Sequence, residues 1–291
     1  MKPIAESELI LNKDGSVYHL HLLPEDLADT VITVGDPDRV PRVSRYFDTI
    51  ELKKSKREFV THTGTINGKR ITVMSSGIST DNIDIVLNEL DALVNIDLKT
   101  RLPKTQLLKL NIIRIGTSGA IQADIPVDSL LVSKAAFGLD TLMHYYKREN
   151  TESEQQLLDE LKKALPKNGG FVPYVASADT GLMSKLGYDT LQGITFTAPG
   201  FYAPQGREVR AHNAHPEFMN ALQRFNLNGQ RITNLEMETA GIYGLSSVLG
   251  HRAISFNVIL ANRSTLTFSK QPEKIVDNYI RRLLERIADI L

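Results

Sequence analysis

The chain has 291 residues, 42% of them hydrophobic, and its 34 basic side chains balance its 34 acidic ones. That is enough for a well-filled core in one large domain or two small ones, and the cancelled charge predicts no general affinity for nucleic acid or an anionic membrane; any anion site must be local. With no cysteine, disulfides, zinc–thiolate centres and cysteine nucleophiles are excluded. No run is long enough to cross a bilayer and MKPIAESELILNKDG does not read as a signal peptide, so the cytoplasm is the expected location.

Short β-branched runs predict strands at 31–35, 58–66, 70–76, 111–116, 129–134, 171–177, 194–198 and 253–262. Between them, Ile83, Val86, Leu87, Leu90 and Val94 mark one face of a helix that Asp81 or Asn82 would cap. Residues 238–249 form another, ended by Gly250. A last helix starts after Pro272, with Ile275, Tyr279, Leu283, Ile287 and Leu291 on its inner stripe. The connections near 95–110 and 135–170 read as excursions from one domain over 1–291, with 1–16 as an N-terminal extension. Alternating strands and helices predict an α/β fold whose central mixed sheet is covered on both faces, and in such sheets ligands gather at the carboxyl ends of strands.

The first strand runs into GDPDR. This is consistent with a turn, with Gly35 at positive φ, an aspartate cap and Pro37 at the first helical position. A metal nest of Asp36 and Asp38 lacks a third ligand and is opposed by Arg39. An anion site has its own rationale in the Gly35 N–H, a helix start and the Arg39 fork. The strand at 111 continues as NIIRIGTSGA, where Arg114 sits in an apolar run and needs a partner; Gly116, Thr117, Ser118 and Gly119 read as a hydroxyl-rich turn. The spacing matches neither a dinucleotide fingerprint nor a Walker loop.

In NLEMETAGIYGL, Glu236 and Glu238 straddle Met237 where a strand should hand over to a helix. They read either as helix caps or as acceptors for vicinal sugar hydroxyls, with the thioether against the sugar ring. GFYAPQGREVR is consistent with a solvated turn, or with Phe201 stacking on a heterocycle whose edge Gln205 and Arg207 read. Phosphate, sugar and base are thus each provided for. His212 and His215 have metal-like spacing but no third ligand, and read as solvated. KKSKR (53–57) reads as a hairpin approach, and His251 as a residue placed after a helix C-terminus.

These residues resemble the nucleoside phosphorylases of the uridine phosphorylase and hexameric purine nucleoside phosphorylase type. The resemblance runs from about residue 17 to 285 and is carried by GDPDRV, REF, RIGTSGAI, FYAPQGR, EMETAGIYG and NR. It implies a three-layer α/β/α sandwich around a mixed sheet, and a homo-oligomer, dimer or hexamer, with shared active sites. It also implies phosphate binding by Gly35, Arg39, Arg114 and Thr117, joined by Arg57 of a neighbouring subunit. Ribose would be held by Met237, Glu238 and a neighbour's His19. Catalysis would fall to Arg114, Arg207 and Glu238. No cofactor is implied beyond inorganic phosphate as co-substrate. A structural potassium ion would lie at Glu58, Ile78 and Asn82, the last standing where serine is usual.

For the base, the purine members carry an aspartate that protonates N7, and the equivalent distance from Glu238 lands on Ala261. Arg263 follows Asn262 as in the uridine enzymes, where that arginine supports the base-reading one. Phe201 would stack, Gln205 would address O2 and N3, and Arg207 would donate to O4. Pro204 replaces a usual glycine in that loop. The resemblance therefore implies phosphorolysis of a pyrimidine nucleoside, uridine first, with purine or broad specificity as the alternative; a hydrolytic nucleosidase and a non-catalytic nucleoside sensor are weaker rivals.

Overall fold

The computed structural model describes residues 2–291; Met1, at the head of the expected N-terminal extension, lies outside them. The first half contains β1 (Thr30–Val34), α1 (Arg39–Ser44), β2 (Thr49–Lys56), β3 (Phe59–Ile66), β4 (Lys69–Ser75), α2 (Thr80–Asn95), β5 (Ile96–Asp97), β6 (Leu102–Pro103), β7 (Asn111–Ala120) and β8 (Leu130–Gly138). The second half adds α3 (Glu152–Ala164), β9 (Tyr174–Ser177), α4 (Thr180–Leu186), β10 (Leu191–Thr197), α5 (Phe218–Arg224), β11 (Asn226–Leu227), β12 (Gln230–Glu236), α6 (Thr239–Leu249), β13 (Arg252–Asn262), β14 (Thr267–Phe268) and α7 (Pro272–Ile290).

Twelve strands make one mixed sheet in the order β11-β12-β10-β8-β13-β7-β1-β4-β3-β2, with β9 on β8 and β14 on β13. β1 is parallel to β4 and β7, and β13 runs parallel to β7 but antiparallel to β8. Because β12 also pairs with the far end of β7, at Asn234–Ala120 and Leu235–Gly119, five of these strands close on themselves.

Side-chain alternation assigns the layers. Val31, Ile112 and Ala253 join the core under α2 and α6, whereas Ile32, Val34, Ile113, Ile115, Ile254 and Phe256 join that under α1, α4 and α7. α3 and α5 cover the β8–β10–β12 end through Leu157, Leu161, Phe218 and Leu222. Helices on both faces of a mixed sheet are the expected three-layer arrangement.

The predicted face of α2 is buried as expected, and Gly250 ends α6 in the left-handed region at φ 80°. Three expectations are corrected. α2 begins at Thr80 after Ser79, so Asp81 and Asn82 lie in its first turn and do not cap it. In α7, Leu283 and Ile287 are buried as expected, but Val276, Ile280 and Leu284 complete the buried stripe while Ile275, Tyr279 and Leu291 lie on its border. Most importantly, Gly116–Ala120 is no turn: β7 continues to Ala120, paired with β13 along its whole length.

Candidate active site

A cavity of about 750 Å³ opens where β1, β4, β7, β12 and β13 end, as expected for the carboxyl edge of such a sheet. Gly35, Arg39, Arg114, Thr117, Met237, Glu238, Phe201, Gln205 and Arg207 all line it, as do Glu58, Ile78 and Asn82. Two of the four sequence signals are consistent with plain turns, yet all four meet at this one place.

Arg114 is the buried centre. Its Nη2 donates to Glu238 Oε2 at 2.6 Å and lies 3.1 Å from Glu236 Oε2, while Nη1 donates to Asn257 Oδ1 at 3.1 Å. Burial opposes its charge, but the two carboxylates outweigh burial and hold its pKa above the usual arginine value. Gly116, two residues along the same face of β7, explains why a strand tolerates glycine here. The guanidinium lies across it, and a Cβ would come within 1.9 Å of Nη1.

The two acids divide their duties. Glu236 Oε2 accepts from the Glu238 and Thr239 N–H groups and from Thr239 Oγ1, and its Oε1 accepts from Thr197 Oγ1. It therefore caps α6 from inside the protein, a buried version of the cap reading. Glu238 faces the cavity, with Oε1 accepting from Ser79 N–H at 2.9 Å. Burial pushes its pKa up, with Arg114 opposing and Glu236 adding to the rise.

Arg39 is the opposite case. Its Nε is buried with no hydrogen-bond partner among the described residues. Burial and then, against the help of Asp36, the like charge of Arg114 depress its pKa. Two guanidiniums that repel each other across a cavity, one of them with no ion pair among the described residues, leave room and charge that an anion could satisfy. The GDPDR turn aims Arg39 there, although by a different construction from the expected one. Gly35 is not at positive φ, and Pro37 precedes α1, inside a turn closed by Arg39 N–H to the Asp36 carbonyl at 3.0 Å. Asp36 Oδ1 accepts from Asp38 N–H at 2.9 Å. α1 is only six residues long, so a helix dipole adds little.

At the other end of the cavity the loop after β10 is tied to itself. The Arg207 guanidinium lies 3.7 Å from the centre of the Phe201 ring and donates to the Phe201 carbonyl at 2.6 Å and to Gln205 Oε1 at 2.7 Å. Gln205 is 3% exposed and Phe201 51% exposed. Arg263 does not line the cavity: it donates to the Gln205 and Gly206 carbonyls and so props the loop's main chain, while its like charge, after burial, lowers the Arg207 pKa. Leu260, Ala261 and Phe268 complete this end without an acid.

His19 and Arg57 lie outside this chain's cavity. Arg57 is in the β2–β3 turn at φ 55°, and its guanidinium lies 5.8 Å from the Tyr18 ring centre, next to His19. Of the histidines set aside, His212 is exposed and pairs with Glu208 at 2.7 Å, and together with His215 it borders a second, apolar cavity behind Ala203 and Pro204. His251 is buried, and Leu110 N–H donates to its Nδ1 at 3.3 Å. No cluster of three or more metal-ligating side chains occurs among the described residues. Sequence reasoning missed Ser79 and Asn257, because a main-chain donor and a residue 143 positions from Arg114 leave no local signal.

A mixed sheet with helices on both faces and, at its carboxyl edge, two arginines, a buried carboxylate and an aromatic loop suit a phosphorylase of small glycosides. The family model described as "Phosphorylase superfamily" matches residues 29–291, and the chain belongs to that family. It is 33% identical over 262 residues, 90% of this chain and 83% of the relative, to a uridine phosphorylase of Thermococcus kodakarensis. It is 25% identical over 279 residues, 92% of this chain and 98% of the relative, to a DeoD-type purine nucleoside phosphorylase of Colwellia psychrerythraea. Among solved structures, a Trypanosoma brucei nucleoside phosphorylase described as showing uridine phosphorylase activity superposes with a TM-score of 0.87 at 30% identity, covering 97% of this chain and 99% of that one.

Proposed function

We propose that the protein catalyses phosphorolysis of a pyrimidine ribonucleoside, uridine first, giving the free base and α-ribose 1-phosphate for nucleoside salvage. The observation that carries this is Arg39, its buried Nε without a hydrogen-bond partner among the described residues, beside Arg114 and Glu238 in one cavity with Phe201, Gln205 and Arg207. Several similar proteins bear the name uridine phosphorylase.

Phosphate held by Arg39, Arg114, Thr117 and the Gly35 main chain lies under the sugar and attacks C1′ as the glycosidic bond lengthens. Its negative charge stabilises the cationic ribosyl group. Glu238 accepts from sugar hydroxyls, with Met237 beside the ring. Electrons of the breaking C–N bond move onto the base, where Arg207 stabilises the charge at O4 and Gln205 fixes O2 and N3. No covalent enzyme intermediate is formed. Because His19 and Arg57 stand outside their own cavity, they serve that of a second copy, in a homodimer or hexamer with composite sites. Glu58, the Ile78 carbonyl and the Asn82 amide supply oxygens of the kind that hold potassium, which would brace that junction.

A purine substrate is the second reading, since a purine nucleoside phosphorylase is among the relatives. Against it, Leu260 and Ala261 offer purine N7 no proton donor. The test is a panel of uridine, thymidine and inosine assayed with and without inorganic phosphate. Phosphate-dependent cleavage of uridine above inosine is expected; base release without phosphate, or inosine preferred, overturns it.

A further inference from the structure

Glu89 lies midway along α2 and faces the N-terminal segment, away from the cavity. Its carboxylate accepts from His19 N–H at 2.9 and 3.0 Å and from Leu20 N–H at 2.8 Å, and it meets His19 Nδ1 at 2.6 Å. Two main-chain N–H groups and one ring nitrogen on a single carboxylate fix both the backbone and the imidazole. A carboxylate accepts only, so Nδ1 carries the proton. In the neutral ring Nε2 is then a lone-pair acceptor, and it has no partner among the described residues. The His19 side chain is 26% exposed.

A second tie comes from the β2–β3 hairpin. Lys56 Nζ donates to the Tyr18 carbonyl and to Asn12 Oδ1, and the Tyr18 ring meets His19 edge-on at 4.9 Å. His19 is thus held from both sides.

We propose that Glu89 is a positioning residue: it selects the Nδ1–H tautomer of His19 and aims Nε2 at the 5′-hydroxyl of a nucleoside bound in a second copy's cavity. This rests on the reading above that His19 serves a composite site. A carboxylate that merely tied down residues 19 and 20 would influence folding without regard to the substrate's 5′ position; a positioning residue makes its effect depend on that hydroxyl.

The experiment compares uridine with 5′-deoxyuridine, both with inorganic phosphate, in the full-length protein and in its E89A, H19A and H19A/E89A variants. E89A is expected to lower kcat/KM for uridine about three- to tenfold, mainly through KM, the scale of one hydrogen bond, and to leave 5′-deoxyuridine within about twofold. The double variant should be no worse than H19A alone. An equal E89A loss on both substrates, or losses that multiply with H19A, overturns the proposal while the composite site stands. If H19A itself does not distinguish the substrates, the composite reading fails and this proposal with it. Should E89A not fold, E89Q keeps an acceptor for the main-chain N–H groups; the same substrate dependence supports the proposal, and its absence overturns it.

Discussion

The two ends of the cavity are built on different principles. At the phosphate and sugar end, Arg114, Glu236, Glu238 and Asn257 sit on or just after strands, are buried and hold one another by charged hydrogen bonds. At the base end, the half-exposed Phe201 and the partly buried Arg207 sit on a loop and satisfy each other by stacking and by bonds within that loop. The first arrangement fixes charge before substrate arrives, which is what stabilising a short-lived cation requires. The second can open, since a base entering against Phe201 exchanges one π contact for another. Rigid electrostatics and adjustable recognition are thus separated along one cavity.

Substitutions can break that division, beginning with the buried pair. Arg114→Ala leaves two buried carboxylates uncompensated and should cost about 3–5 kcal/mol of stability, together with nearly all phosphorolysis. Urea unfolding and a uridine assay would check both. Arg39→Ala should instead cut turnover about 10²–10³-fold and raise the phosphate KM, with unfolding free energy within about 0.5 kcal/mol of the parent. If both arginines lowered stability equally, only one kind of site would be present. Gly116→Ala belongs with Arg114: the methyl group would displace a guanidinium that its partners hold, so activity and stability should fall together.

Legibility in the sequence follows the same division. GDPDR, Arg114 and the Glu236–Glu238 pair stood out because charge in an apolar strand or at its end is costly and needs a reason. β2 did not, because TIELKKSK is an edge strand whose alternating side chains are largely exposed, and its lysines make it read as solvated. The small residues from Gly116 make the sequence read as if β7 ends there, whereas the glycine lets the Arg114 guanidinium lie across a strand that continues to Ala120. α3 carried a readable signal, the Thr151–Glu154 capping box, inside a stretch read as an excursion. The roles of Ser79 and Glu89 were not legible, because each depends on pairing across 70 or more residues.

A smaller effect is expected at the base end. Arg207→Ala should cost only about 1 kcal/mol, the scale of the hydrogen bond lost to the buried Gln205, because its other partner is the Phe201 carbonyl of the same loop. Its kinetic loss, about 10–10²-fold, should fall on uridine far more than on a nucleoside without an O4 acceptor. Equal loss on every base would mean that Arg207 only shapes the loop.

The mildest test is pH, and it separates Glu238's work from its cost. Burial raises its folded-state pKa above the ordinary 4.5 of a glutamate. Such a group contributes stability that is fully present below the unfolded pKa and is lost as pH rises through the folded value. Its ionised form, however, is the one that pairs with Arg114 and accepts from the sugar. On acidification, kcat/KM should therefore begin to fall above pH 4.5, while Glu238's own contribution to stability increases. The acid limb of the rate profile should precede unfolding seen by circular dichroism, and Glu238→Gln should abolish that limb while lowering the plateau. A limb that coincides with unfolding, or that survives in Glu238→Gln, would assign the titration to another group.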